Sequence, residues 1–355
     1  MDYYSFLDLE NDYNSTYDNF TNNGTYEDEY DYPTAPDLTV AHNAVKIISL
    51  IIYCLTFLLG VPGNAFVIWI AGLKMKRTVN VVWFINLAIA DFLCCLSIPF
   101  SITDTLLDTS WPYGNVMCKI IPAFIVLNMF ASVFTLAIIS LDRLALVVRP
   151  VWAQNHRSLV MAWALCGLAW VLAFLLSLPS MILRTTVTQS HNNQTLCTYD
   201  TEDGDSLSQS LLAHMQLIRF LFGFLVPLLL IITSYILIVL KVRSSSFRAK
   251  RAFKIIVAVV VAFFVCWLPY HAFGLAREYG QDEGLVVLLD QLSIALAFVN
   301  SCLNPLLYVF MGQDFKEKVR LSLKRILENA FSEDNTTHSY VRSKASQSGM
   351  TTSTV

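Results

Sequence analysis

Charge is what this chain has least of. Asp, Glu, Lys and Arg make up 14% of its 355 residues, while 55% are hydrophobic and the mean hydropathy is +0.53. An ordinary soluble domain carries about 25% charged residues, and the apolar residues here are gathered into blocks rather than scattered. That excludes a soluble enzyme and a nucleic-acid binder. Sets of catalytic or metal-binding side chains are missing too. His42, His191 and His214 fall in outer segments, His156 and His338 in inner ones, and His271 stands alone in the outer half of a span. A membrane enzyme would need a nucleophile with its base or a metal cluster. There is no internal repeat and only one acid deep in a span, which speaks against a transporter or channel. Residues 1–40 lack the basic and apolar regions of a cleavable signal peptide, so the first span is expected to act as the membrane signal.

What is present is a set of seven apolar blocks, near 44–71, 81–106, 116–147, 159–183, 211–240, 253–276 and 285–310. At about 20 residues for a core about 30 Å thick, each can cross a bilayer as a helix, and blocks this long are not barrel strands. The fold class expected is an all-α membrane protein, a seven-transmembrane helix bundle, with a short amphipathic eighth helix over 312–327. There Phe315, Val319, Leu323 and Leu327 oppose Lys316, Lys318, Arg320 and Lys324, a pattern that lies on a membrane surface. The organisation read from this is an acidic arm (1–40), the bundle (41–311), the amphipathic helix (312–327) and a disordered Ser/Thr-rich tail (328–355).

Orientation follows from the placement of basic residues. The segment before the first span has ten acids and no Lys or Arg. Bases gather after span one (Lys74, Lys76, Arg77), after span three (Arg143, Arg149, Arg157), after span five (Lys241 to Lys254) and beyond span seven. The positive-inside rule puts these in the cytoplasm and the amino terminus outside. Sequons at Asn14, Asn19, Asn23 and Asn193 then lie outside, where glycosylation can occur. Six of the eight cysteines fall within spans. Cys118 and Cys197 fall on the outer side, where the compartment permits a disulfide between them.

Polar groups inside hydrocarbon are costly unless paired or facing a cavity. Asp91 is the outstanding one, accompanied by Asn64, Asn128, Ser132, Asn300, Ser301 and Asn304. Two readings use the same atoms: an oxygen-lined sodium site at Asp91, Asn128, Ser132, Asn300 and Asn304, or a hydrogen-bonded network that keeps the helices in register. Pro227, Pro269 and Pro305 each remove a helical hydrogen bond. They leave hinges beside Phe263 and Trp267, whose bulk is placed to pass motion from the outer half of the bundle to the inner half.

Taken in order, several short runs resemble the rhodopsin-like (class A) G protein-coupled receptors. They are Gly63-Asn64, Leu87-Ala88-Ile89-Ala90-Asp91, Cys118, Asp142-Arg143, Trp163, Pro227, Cys266-Trp267-Leu268-Pro269 and Asn304-Pro305-Leu306-Leu307-Tyr308. The likeness covers about residues 40–327. It implies that Arg143, next to Asp142, is the switch at the G-protein surface, that Tyr235 and Tyr308 swing toward it on activation, and that Trp267 senses the ligand. Two departures stand out. Leu144 replaces the usual Tyr after Asp142-Arg143, and no acid lies near Ala249, so the family's lock between Arg143 and span six is missing.

Within the family, Pro150 to Arg157, Asn300 to Phe315 and Thr78 to Phe84 are similar to the chemoattractant group of chemerin, complement anaphylatoxin and formyl-peptide receptors. Ile125 and Val126 occupy the place where amine receptors carry an acid. Arg184, Arg219 and Asp290 match the positions at which the complement C5a anaphylatoxin receptor handles its ligand's basic carboxy-terminal residue. Arg219 suits a terminal carboxylate and Asp290 a basic side chain; an internal Arg219–Asp290 ion pair without a ligand role is the alternative. The function implied is reception of a C5a-type anaphylatoxin or chemerin, with coupling to the inhibitory G protein Gi in leukocyte chemotaxis and inflammation. A formyl-peptide receptor and a non-signalling scavenger of the same fold are the alternatives. Tyr30 and Tyr32, among acids in the arm, are expected sulfation sites, and the acidic arm would steer a basic protein ligand. The tail, once phosphorylated, suits arrestin, and Ser353-Thr354-Val355 resembles a PDZ-domain ligand. The protein is expected in the plasma membrane, with no cofactor beyond the sodium ion.

Overall fold

The structure, a computed structural model, describes residues 35–107, 110–189, 194–199, 206–241, 249–279, 283–311 and 321. Its first helix, α1 (Ala35–Trp69), runs on through a π turn at Ile70–Lys74. It starts well before the block expected from residue 44, because nothing after Pro36 breaks a helix and proline is tolerated in a first turn. Helix α2 spans Val79–Leu106 and α3 spans Gly114–Val148; a short α4, Pro150–His156, is followed by α5, Leu159–Leu183. The inner segment after α3 reads as a loop in sequence, yet Pro150 at the first position pre-sets the dihedral that starts α4. Thr78 and Ser158 accept the backbone N–H of Val81 and Met161, capping α2 and α5 where each leaves the cytoplasmic side.

The fifth span is α6 (Ser206–Phe220), a π turn at Leu221–Leu225, and α7 (Val226–Lys241). Pro227 has no N–H to continue the ladder, and the π turn directly before it absorbs the mismatch. Helices α8 (Ala249–Tyr279) and α9 (Glu283–Met311) complete the bundle, with Pro269 and Pro305 inside them. Six helical segments are long and apolar enough to cross a membrane, from Val40–Lys74 to Ile256–Tyr279. The 29 residues of α9 rise about 44 Å and pack against α8, α1 and α2.

The bundle is apolar on both sides of each helix, as a membrane solvent demands. Trp267, Phe130, Phe263, Met129 and Leu87 are fully buried at its centre, while Leu58, Val160, Val171 and Val265 lie exposed on its outer wall. Polar side chains stitch the interior. Asn64 donates to the carbonyls of Gly60 and Ser301, joining α1 to α9. Asn86 donates to Thr135 Oγ1 at 2.6 Å and accepts from Trp170 Nε1 at 2.7 Å, joining α2, α3 and α5. That corrects the place given to Trp163, which is 49% exposed on the outer wall. Trp170, seven residues further along the same helix, carries the interhelical bond.

One hairpin interrupts the helices, which the sequence reading left as a long outer loop. Strands β1 (Arg184–Thr188) and β2 (Thr195–Tyr199) pair antiparallel, with Arg184 opposite Tyr199 and Thr186 opposite Cys197. Both strands are rich in β-branched and aromatic residues, which suit a half-buried pleated surface. The Cys118–Cys197 disulfide, with Cα atoms 5.5 Å apart, fixes β2 to the outer end of α3 as expected. Trp111 donates its backbone N–H to Thr195 and its indole N–H to Gly114, which starts α3 at a φ of 71° that favours glycine. The expected amphipathic helix over 312–327, the sequons Asn14, Asn19, Asn23 and Asn193, and Tyr30 and Tyr32 lie outside the described residues, save for Leu321.

Candidate ligand pocket and signalling core

Beneath the hairpin is a cavity of about 350 Å³ whose walls include Arg184, Arg219 and Asp290. The three residues therefore do share one site, though not with the partners expected. Arg184 is the first residue of β1 rather than the end of α5, and its guanidinium lies over the Tyr199 ring, 4.5 Å from the centroid. The register explains this, since the two residues oppose each other across the hairpin. Arg219, on α6, donates to the Tyr199 hydroxyl at 3.0 Å, to Gln216 Oε1 at 3.0 Å and to Ser180 Oγ. The Tyr270 hydroxyl interacts with the same guanidinium.

Arg219 is buried, and every one of these partners is formally neutral. Such a cation is fixed in direction but not neutralised, the condition for a strong charge-assisted bond to an incoming anion. The internal Arg219–Asp290 pair is not formed. Asp290 accepts instead from Arg277 Nη1 at 3.2 Å. Gly274 holds Gln216 in place indirectly: a Cβ there would overlap Gln216 Nε2, so any larger residue pushes Gln216 off Arg219.

Tyr199 and Arg277 are the pocket residues that sequence reasoning missed. The only signal for Tyr199 was its place two residues after Cys197. Burial opposes ionisation of its phenol, yet Arg184 and Arg219 outweigh that and bring it from the ordinary 10 down to about 7.

Below the pocket, His271 contacts the rings of Phe220, Phe224 and Trp267, and neither of its ring nitrogens has a hydrogen-bond partner. Trp267 in turn meets Phe263, with centroids 5.9 Å apart, so the aromatic path expected to carry motion is continuous. Deeper still, Asp91 is fully buried and its Oδ2 accepts from Asn304 Nδ2 at 2.7 Å. Asn128 donates to Ser301 Oγ at 3.2 Å and Ser132 to Asn128 Oδ1 at 3.3 Å. Ser301 and Asn128 come alongside Asp91, but Asp91 Oδ1 has no well-formed hydrogen bond, nor do Asn300 Oδ1 and Asn304 Oδ1. Orphaned oxygens around a buried acid fit a hard monovalent cation.

At the cytoplasmic end, Asn80 Oδ1 accepts from both Arg143 and Arg157, at 2.6 Å each. Asp142 pairs with Arg157 at 2.7 Å and lies 3.7 Å from Arg143. The partner that span six lacks is thus replaced by an asparagine on α2. Tyr235 interacts with both Arg143 and Ser140. Tyr308 lies in helical backbone, with its side chain outside the described set.

The profile of the 7 transmembrane receptor (rhodopsin family) matches residues 63–308. The chain belongs to the rhodopsin family of receptors. It is a receptor, not an enzyme, and a multi-pass membrane protein of the plasma membrane with its amino terminus outside. Curated proteins narrow the group. The receptor is 54% identical over 343 residues to the C3a anaphylatoxin chemotactic receptor of Oncorhynchus mykiss, covering 94% of each chain. It is 56% identical over 322 residues to the protein of the same name in Danio rerio, covering 90% of this chain and 87% of that one. It is 44% identical over 336 residues to Chemerin-like receptor 1 of Homo sapiens, covering 89% and 90%. The receptor is a class A member of the chemoattractant group that holds the chemerin-like, C5a and C3a receptors.

Proposed function

We propose that this receptor binds an anaphylatoxin of the C3a or C5a type through the ligand's carboxy terminus and signals through Gi in leukocyte chemotaxis and inflammation. The observation that carries the reading is the buried, unneutralised Arg219, held by Tyr199, Gln216 and Ser180 across a cavity from Asp290. A peptide ending in a basic residue brings a carboxylate and a cation on one residue, and the cavity offers Arg219 with Arg184 for the first and Asp290 for the second. A ligand without a basic end leaves Asp290 with nothing to do, which sets chemerin behind the anaphylatoxins despite the shared framework. The relatives whose names specify C3a move the reading from the C5a-or-chemerin pair toward C3a.

Around that site, the remaining parts act as follows. The arm (1–40), sulfated at Tyr30 and Tyr32 and glycosylated at Asn14, Asn19 and Asn23, gathers a basic protein ligand; Asn193 carries a glycan on the outer loop. The bundle (41–311) transmits binding through Trp267, Phe263, Pro269, Asn304 and Tyr308 to Arg143. A sodium ion held by Asp91, Asn128, Ser132, Asn300 and Asn304 favours the resting state. The amphipathic helix (312–327) lies on the inner leaflet, and the phosphorylated tail (328–355) engages arrestin and, through its last three residues, a PDZ domain.

The test is inhibition of forskolin-driven cAMP by C3a, C5a and chemerin in cells expressing the receptor. C3a or C5a gives a response, and Arg219→Ala weakens it by about 10- to 100-fold, the usual worth of a hydrogen bond to a charged group. Arg143→Ala abolishes it without loss of binding. A response to chemerin alone, or full potency in Arg219→Ala, refutes the pocket reading. Binding without any response in the wild type makes the protein a scavenger.

A further inference from the structure

We propose that Arg277 is a built-in competitor for the cation seat at Asp290, and thereby sets how strictly this receptor selects a basic residue at the end of its ligand. The inference deepens the reading above and rests on it.

The geometry is specific. Arg277 Nη1 lies 3.2 Å from Asp290 Oδ2, and both side chains line the cavity that holds Arg184 and Arg219. The Asp290 side chain is 11% exposed and that of Arg277 is 43% exposed. The other carboxylate oxygen has only the Ser293 hydroxyl at 3.5 Å, and that hydroxyl already donates to the Asp290 carbonyl at 2.6 Å. The pairing is one-pronged, so it uses half of what a carboxylate offers a guanidinium. In short, a guanidinium of the chain itself sits where a ligand guanidinium would go.

A basic ligand must therefore displace Arg277 or share Asp290 with it. Sharing places two cations on one acid. Displacement is the milder course, because a half-exposed guanidinium returns to water at little cost while the more buried carboxylate changes partner. A ligand with a neutral end leaves the bridge intact and gains nothing from Asp290. Arg277 thus stabilises the unoccupied pocket and works only against cationic ligand ends. Removing it leaves Asp290 without a cation at hydrogen-bonding distance, and an arginine-ended ligand then gains the whole interaction.

Competition binding on full-length receptor in membranes tests this. The probes are a synthetic carboxy-terminal C3a peptide ending in arginine and the same peptide ending in citrulline, which keeps the shape and drops the charge. Arg277→Gln tightens the arginine peptide by about two- to fivefold, the range of a partly exposed ion pair, and leaves the citrulline peptide unchanged. In an Asp290→Asn background the gain disappears. If Arg277→Gln weakens the arginine peptide, Arg277 is a ligand contact and the proposal is overturned. Equal change for both peptides makes it a scaffold and also overturns it. If the wild type does not distinguish the two peptides, the role given to Asp290 in ligand binding falls, and this inference with it.

Discussion

Tyr199 stands between two cations, and that makes its proton part of the binding equilibrium. Its phenol is drawn down to about 7 by Arg184 and Arg219 against the effect of burial. Below that pH the phenol is neutral and both guanidiniums are available to a carboxylate. Above it the phenolate occupies part of their charge. The affinity of a carboxylate-ended peptide therefore falls as external pH rises from 6 to 8, by up to about tenfold per unit beyond the pKa. Tyr199→Phe removes the slope. A Kd series across that range on the two receptors decides it, and an unchanged slope in Tyr199→Phe sinks the idea. Residue identity was enough to pick Arg219 and Asp290 from sequence, since an arginine and an aspartate in membrane blocks are costly and therefore conspicuous. Their partners were not legible. Tyr199 reaches Arg184 through hairpin register and Arg277 reaches Asp290 across two helices, and neither relation leaves a trace in local pattern.

Among elements, the cytoplasmic ends of α2 and α3 form a latch of their own. Arg143 cannot be held by span six, where the acid is missing, and Asn80 takes that place while Arg157 braces it through Asp142. Asn80→Ala frees Arg143 and raises ligand-independent Gi activity by about two- to fivefold, in line with the modest worth of an interhelical bond in a membrane. Arg157→Ala acts in the same direction, and the double variant adds little because both act on one carbonyl oxygen. Basal GTPγS binding at matched surface expression reads the effect; an unaltered level in Asn80→Ala refutes it. The seven spans were visible as apolar blocks because hydrocarbon imposes length. The hairpin and α4 were not, because both are short, polar and set by what they pack against. Trp163 and Trp170 show the same limit within one helix: either could be the interior tryptophan by composition, and only packing shows which faces Asn86.

At the scale of the whole bundle, the polar chain from Asn64 through Asp91 and Asn304 runs between α1, α2 and α9, beside the hinge at Pro305. A cation among the orphaned oxygens favours the arrangement that surrounds it and opposes any shift of α9. Sodium at extracellular concentration accordingly lowers agonist affinity by about fivefold or more, and Asp91→Asn makes the affinity indifferent to sodium. Replacing sodium chloride with choline chloride in the binding assay separates this from general salt screening. Equal sensitivity to both salts excludes the ion site and leaves the network as helix packing alone.

The unneutralised guanidinium of Arg219 also bears on how the protein is made. Until an anion arrives, the outer half of the bundle assembles around a buried positive charge balanced only by dipoles, so this is where a marginally stable variant gives way first. A membrane-permeant carboxylic acid that enters the cavity acts during biosynthesis as a folding aid, raising the share of receptor that leaves the secretory pathway correctly folded.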